Sequence, residues 1–290
     1  SVPALAELLG DEQTAPIARY ALDRIPGPEA GETLRKALPR ATGAVRLEII
    51  ASLGSRRHRE AVGDLLAILR GGDAKAATAA TWALAAIGDP AAVDPILATR
   101  AVPVDVLLTL AARLTADGHA DAARKVYARL ESSESDHVQA AVLEGMVALE
   151  PDRAVERLFA ALRGPSARLR GQAVSLLVHS CPASCAEAVL REFDTLPIEA
   201  RLLLLTADWN RLPEQGRNVA LLGAASRGEA TVAEGIRLLG EYGRPEDVAR
   251  LARAASGANY RTSEAGRRAL RHLAAEGTDE AIVERMAKPV

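Results

Sequence analysis

The residues best suited to chemistry in this chain stand in one short stretch, His179-Ser180-Cys181-Pro182-Ala183-Ser184-Cys185. It holds both cysteines of the sequence. Three readings of it stand side by side. Cys181 and Cys185 are small apolar side chains beside a turn that Pro182 enforces, because free cysteine behaves as a small hydrophobe. Or they close a local disulfide, for which their separation demands favourable turn geometry. Or His179 joins the two thiolates on a metal, although a fourth ligand and a second cluster are absent from the pattern. The other pair to inspect is Asp208-Trp209, an acid beside an aromatic ring. The remaining histidines, His58, His119, His137 and His272, are scattered, and no Gly-Lys-Ser/Thr phosphate loop, Gly-x-Ser-x-Gly elbow or His-Glu-x-x-His helix occurs. Asp89, Asp117 and Asp152 fall at turns, where a carboxylate capping the next helix accounts for them. The expectation is a protein that is not an enzyme, with no catalytic residue, metal or cofactor.

The elements that must position these residues recur with a period of about 30 residues, each copy reading as two short helices around a helix breaker, the mark of stacked repeats. Expected helix pairs are 14–38, 43–70, 73–99, 103–131, 135–163, 165–193, 197–227, 229–256 and 259–287, preceded at 3–9 by a lone second helix. Breakers such as Pro26-Gly27-Pro28, Gly88-Asp89-Pro90 and Glu150-Pro151-Asp152 mark the turns. Alternating strand patterns do not occur, so no sheet is expected. With 49% hydrophobic but only 3% aromatic residues, the core must be filled by Ala, Leu, Val and Ile on closely approaching helices.

Over 290 residues the formal net charge is −2, without the basic excess a general nucleic-acid binder carries. Lys36, Lys75, Lys125 and Lys288 are the lysines and the other basic residues are arginines, which with the abundant alanine fits a GC-rich, bacterial codon bias. No apolar run approaches the roughly 18 to 20 residues that cross a bilayer, so membrane insertion is not expected. The chain opens Ser1-Val2-Pro3 rather than on methionine, as expected of a processed or trimmed chain, and the compartment, cytoplasmic or exported, is left open.

Ala83-Leu84-Ala85-Ala86-Ile87-Gly88-Asp89-Pro90-Ala91-Ala92-Val93 resembles the turn of HEAT repeats, in particular the short PBS-lyase HEAT-like variety. Gly43-Ala44-Val45-Arg46 and, less closely, Ala167-Arg168-Leu169-Arg170 are similar to the opening of that family's first helix. From residue 197 on the likeness loosens, with Trp209-Asn210 and Tyr242-Gly243 in place of the usual turn. The resemblance implies an all-α fold, a right-handed α-α superhelix of about nine helical hairpins with the second helices on its concave side. Residues 1–290 are then expected to form one repeat domain, a module of a longer protein. HEAT-like arrays serve as scaffolds, adaptors, bilin lyase subunits and, in one class of DNA glycosylases, as enzymes using acidic and aromatic side chains in a basic groove. Asp208-Trp209 echoes that last pattern, without the several groove aromatics that stacking on nucleotides needs.

Comparing copies, one outward slot of the second helices reads Asp64, Asp94, Lys125, Arg157, Ala188, Asn218, Arg250 and Glu284. Arg124, Arg191, Arg217 and Arg253 reinforce the basic middle, and Glu187 and Glu192 interrupt it. The candidate partner-binding residues are therefore Arg124, Lys125, Arg157, Arg191, Arg217 and Arg250, facing an acidic protein or other modules of the same chain. The competing reading is an ordinary solvated helix face. Ser55-Arg56-Arg57-His58-Arg59 reads as a solvated turn or a phosphate contact, and Arg267, Arg268, Arg271 and His272 as the polar cap of the last repeat. The expected function is a non-catalytic scaffold binding protein through the concave face; the alternative is an enzyme or enzyme subunit of DNA glycosylase-like or bilin lyase-like type.

Overall fold

The side chain of Asp73 accepts hydrogen bonds from the backbone N–H groups of Lys75 and Ala76, at 3.0 and 3.1 Å, and so opens the helix Ala74–Ile87. Gly88, at φ +75°, closes it in the left-handed region that glycine enters without strain. Asp89 then accepts from the N–H of Ala91 at 2.9 Å, and Pro90 begins a 3₁₀ turn that feeds the next helix. A cap, a glycine stop and a proline restart thus lie within one repeat. The same 3₁₀ entry recurs at Arg59–Ala61, Pro151–Arg153 and Pro245–Asp247.

The computed structural model describes all residues except 10, 12, 181, 182, 274 and 288–290, and leaves out the side chains of 183, 184 and 186 as well. Among the described residues every regular element is helical. Two compact units follow one another along the chain, Ser1–Leu149 and Glu150–Val290. The first holds α1 (Val2–Leu8), α2 (Ala15–Arg24), α3 (Pro28–Ala37), α4 (Gly43–Ser55), α5 (Val62–Leu69), α6 (Ala74–Ile87), α7 (Val93–Leu97), α8 (Val104–Ala116), α9 (Ala120–Leu130) and α10 (Asp136–Leu149). The second holds α11 (Ala154–Arg163), α12 (Ala167–His179), α13 (Ala183–Glu192), α14 (Ile198–Thr206), α15 (Pro213–Ala225), α16 (Glu229–Tyr242), α17 (Val248–Ala255), α18 (Tyr260–His272) and α19 (Thr278–Met286). The helices fall where the sequence places the nine pairs and the lone second helix.

In the first unit α4 packs on α6, α6 on α8 and α8 on α10, while α5 seals α6 and α9 seals α8. Ile49, Ile50 and Leu53 of α4, Leu84 and Ile87 of α6, and Leu110 and Leu114 of α8 are fully buried along that line. Each such side chain contributes about 1.5–3 kcal/mol by leaving water, which no isolated hairpin gains. In the second unit α14 packs on α16 and α16 on α18, with α15 against both α14 and α16 and α17 against α18.

Small residues set how closely the first helices approach. A Cβ on Gly54 of α4 would lie 2.7 Å from Cα of Ala83 on α6, and one on Gly240 of α16 would lie 2.7 Å from Cα of Ala269 on α18. Gly54→Val is therefore expected to lower stability by about 1–3 kcal/mol through overpacking. Urea unfolding measures it, and a valine variant with the parent's midpoint would contradict the close contact.

Candidate functional site

In the first unit the charged slots of the second helices face one another. Lys125 of α9 reaches Asp94 of α7 at 3.1 Å, both side chains well exposed, and Arg35 of α3 reaches Asp64 of α5 at 3.0 Å. Arg124 pairs with Asp121 on its own helix. The slots read as an acidic end are thus neutralised in place by bases from the neighbouring second helices. Arg35 also holds Glu32 at 2.7 Å, and that guanidinium lowers the Glu32 carboxyl to about 2. The contribution of this pair is present above the ordinary carboxylate range and is lost as the pH falls towards 2.

In the second unit Arg157 is held by Glu150 at 2.8 Å and Arg163 of α11 pairs with Glu192 of α13. Arg217 departs from the expectation of a partner-facing residue. It is buried on α15, donating to Asp247 at 2.8 Å and to Glu246 at 2.6 Å, and Asp247 in turn accepts from the Arg244 N–H at 2.9 Å. The hydrogen bond to Asp247 raises the pKa of Arg217, so it stays charged and serves the joint between α15 and the entry to α17. Ala188 is buried too, and the solvent-facing place on α13 belongs to Glu187. Arg191 is exposed on α13, Arg250 half-buried and Arg253 exposed on α17, and none of the three makes an ion pair among the described residues.

The arginines of the basic turn of the second pair, read as a solvated turn or a phosphate contact, have partners within the first unit. Arg56 donates to the carbonyl oxygens of Leu22, Asp23, Ile25 and Gly27, at 2.8–3.1 Å, and so ties off the last turn of α2. Arg57 and Arg59 both bind the Asp117 carboxylate at the end of α8, and Arg57 also reaches the Ile87 carbonyl. Burial raises the Asp117 carboxyl, but the two guanidiniums outweigh it, and its pKa ends below the usual carboxylate value. Asp117 is therefore an anchor between turns rather than a helix cap; Asp89 is the cap the sequence predicts. His58 is buried beside Gly31, with Nδ1 3.3 Å from Glu60.

Trp209 is fully buried, its Nε1–H donating to the Leu204 carbonyl at 2.9 Å and its backbone N–H to the Tyr242 hydroxyl at 3.1 Å. It packs between the seventh and eighth pairs, against Gly216 and Tyr242, and no ring face is open for stacking on a base. Asp208 accepts from the N–H of Asn210 at 2.9 Å, closing its own turn. Cys185 is buried, whereas Cys181 lies outside the described residues, and with it the reading of the pair. Among the described residues no three His, Cys, Asp or Glu side chains are placed to share a metal ion. No described helix is long and apolar enough to cross a membrane.

The helix pair that opens on Asp73 and turns at Gly88 also decides the family likeness: residues 76–99 match the PBS lyase HEAT-like repeat. The chain carries a HEAT-like repeat. No curated protein matches it by sequence. Among solved structures, it is similar to a chain of the complex of CpcE and CpcF of phycocyanin lyase from Nostoc sp. PCC7120, with 18% identity, TM-score 0.41, and 83% of this chain and 94% of that chain covered. Human deoxyhypusine hydroxylase in complex with glycerol aligns with 19% identity, TM-score 0.34, and coverage of 94% and 95%. An engineered protein aligns with 17% identity, TM-score 0.22, and coverage of 94% and 96%.

What a residue-by-residue reading of this HEAT-like chain passes over is the set of struts one repeat apart: Arg35 with Asp64, Arg163 with Glu192, Arg217 with Asp247, Arg244 with Glu214. The signal that finds them is an arginine and a carboxylate separated by one repeat length.

Proposed function

We propose that this HEAT-like array is a non-catalytic scaffold that binds an acidic protein through the second-helix face of its second unit. The observation that supports it is the contrast among arginines on those helices. Arg157, Arg163 and Arg217 are spent on carboxylates within the array, while Arg191, Arg250 and Arg253 make no ion pair among the described residues. An arginine kept at the surface without a carboxylate has its planar fork free for one on a partner. Arg124, Lys125 and Arg157 belong on this reading to the array itself, and Arg217 to its interior. Exposed pairs such as Lys125 with Asp94 are worth at most about 1 kcal/mol, so their role is to set charge rather than to hold the fold.

A photo-cross-linking side chain at Glu187, one turn from Arg191, tests the surface against the same group at Lys75, exposed on α6. The proposal expects a protein adduct from position 187 and none from position 75. Equal adducts from both positions, or nucleic acid alone at position 187, would overturn it.

A further inference from the structure

Helix α18 carries a second charged surface that the second-helix reading does not use. Tyr260, Glu264, Arg267, Arg268 and Arg271 recur at three- and four-residue steps and share one side of the helix with Arg261 and His272. Ser263, Gly266 and Ala269 on the opposite side are buried. Tyr260 is 79% exposed, and the side chains of Arg267 and Arg268 are 54% and 66% exposed. Four arginines stand against one glutamate. Glu264 serves two of them, Arg268 at 2.9 Å and Arg267 at 3.7 Å. Arg271 reaches only the Arg267 carbonyl, at 3.2 Å, and Arg261 has no ion pair among the described residues.

A polar cap needs hydration, not one sign of charge. On α16, the first helix packed against α18, Arg237 is matched by Glu234 and Glu241, and α19 mixes Asp279, Glu280 and Glu284 with Arg285. Of the two first helices α16 and α18, α18 keeps an uncompensated excess among the described residues, as α17 does with Arg250 and Arg253 on the second-helix face. Beside it runs a groove of about 630 Å³ between α16 and α18, where Arg237, Arg261 and Arg268 meet Glu229, Glu234 and Glu264 next to Tyr260, so the excess of positive charge lies on the α18 face and not in the groove. A rigid aromatic ring next to unpaired guanidiniums is the composition that anchors protein partners.

We infer that the outer face of α18 is a docking surface for an acidic protein segment, separate from the second-helix face. Charge complementarity selects the occupant: Arg261 and Arg271, without a carboxylate partner among the described residues at either end of the stripe, can meet carboxylates on a helix or extended peptide bidentately. Nucleic acid fits less well, because Tyr260 offers a single stacking platform and Glu264 sits in the middle of the stripe.

The test is the anisotropy of a labelled peptide of about 20 glutamate and alanine residues at about 0.05 M salt, where surface charge is least screened. An oligothymidylate of similar length runs in parallel. The variant is Arg261→Glu with Arg271→Glu, the two arginines without a carboxylate partner. Arg261→Gln with Arg271→Gln is the fallback should charge reversal reduce helicity. Measured in an Arg191→Glu/Arg250→Glu background, which removes the second-helix arginines, loss of peptide affinity by about tenfold or more on adding the α18 substitutions, with added Lys75→Glu unchanged, is the expected result. Equal peptide binding by parent and variant would overturn the inference and leave a solvated cap. Tighter binding of the oligothymidylate than of the peptide, lost in the same variant, would overturn it in favour of nucleic acid.

Discussion

Leu84→Asp is expected to abolish cooperative folding of the first unit. Leu84 is fully buried on α6, the helix that packs on α4, α5 and α8, so it joins the apolar layers on either side of it. Truncating such a leucine costs about 2–5 kcal/mol in lost transfer energy and cavity. Aspartate adds a carboxylate with no partner, which costs several kcal/mol more or forces the site open to water. Because each repeat is stable only against its neighbours, the loss passes to the helices on either side. Helicity, solubility and thermal melting of Leu84→Asp check this, with Leu84→Ala as a milder variant expected to lose about 2–5 kcal/mol. A Leu84→Asp protein that melts in one cooperative transition at the parent's temperature would refute the stacked core.

Arg217→Ala is expected to destabilise the second unit by about 3–5 kcal/mol, far more than any other arginine replacement on a second helix. The side chains of Arg217 and Asp247 are 11% and 6% exposed, and removal of the guanidinium leaves a buried carboxylate without its partner. The backbone N–H of Arg244 continues to donate to Asp247, which offsets only part of the loss. Replacing both members, Arg217→Met with Asp247→Leu, is expected to recover much of the stability, since the penalty comes from the orphaned charge. Arg191→Ala and Arg250→Ala should stay within about 0.5 kcal/mol of the parent. Urea midpoints separate these cases. An Arg217→Ala variant as stable as Arg191→Ala would show that the pair is solvated and not structural.

These two sites mark where sequence reasoning succeeds and where it stops. Leu84 and its turn are legible because their signals are local: the Asp73 cap, the Gly88 stop and the Pro90 restart act within one helix pair, and the small residues that let α4 and α6 approach lie in plain periodic positions. The period then supplies the stacking, since no pair can bury its own face. The charged surface is less legible. Whether an arginine points to solvent or to a carboxylate one repeat away depends on the stacking distance, which no single repeat encodes. Arg217 and Arg250 are alike in type and setting, yet Asp247 claims one and nothing among the described residues claims the other. Ala188 shows the frame sensitivity: one residue is a turn of about 100° on a helix, so the exposed slot on α13 is Glu187. The partners of the Ser55–Arg59 cluster are illegible for a related reason, because the carbonyls ending α2 and the carboxylate of Asp117 lie about 30 and 60 residues away along the chain.

The proposed function rests on the same distinction. Arginines that hold the repeats together cannot be removed without loss of stability, and arginines left over are free for a partner. The measurement that tests this most directly is capture from the source lysate with equal amounts of the parent and of Arg191→Glu/Arg250→Glu, both checked for identical melting. A protein retained by the parent and lost from the variant is the predicted result. Equal retention by both, or recovery of nucleic acid or pigment in place of protein, would contradict the scaffold reading.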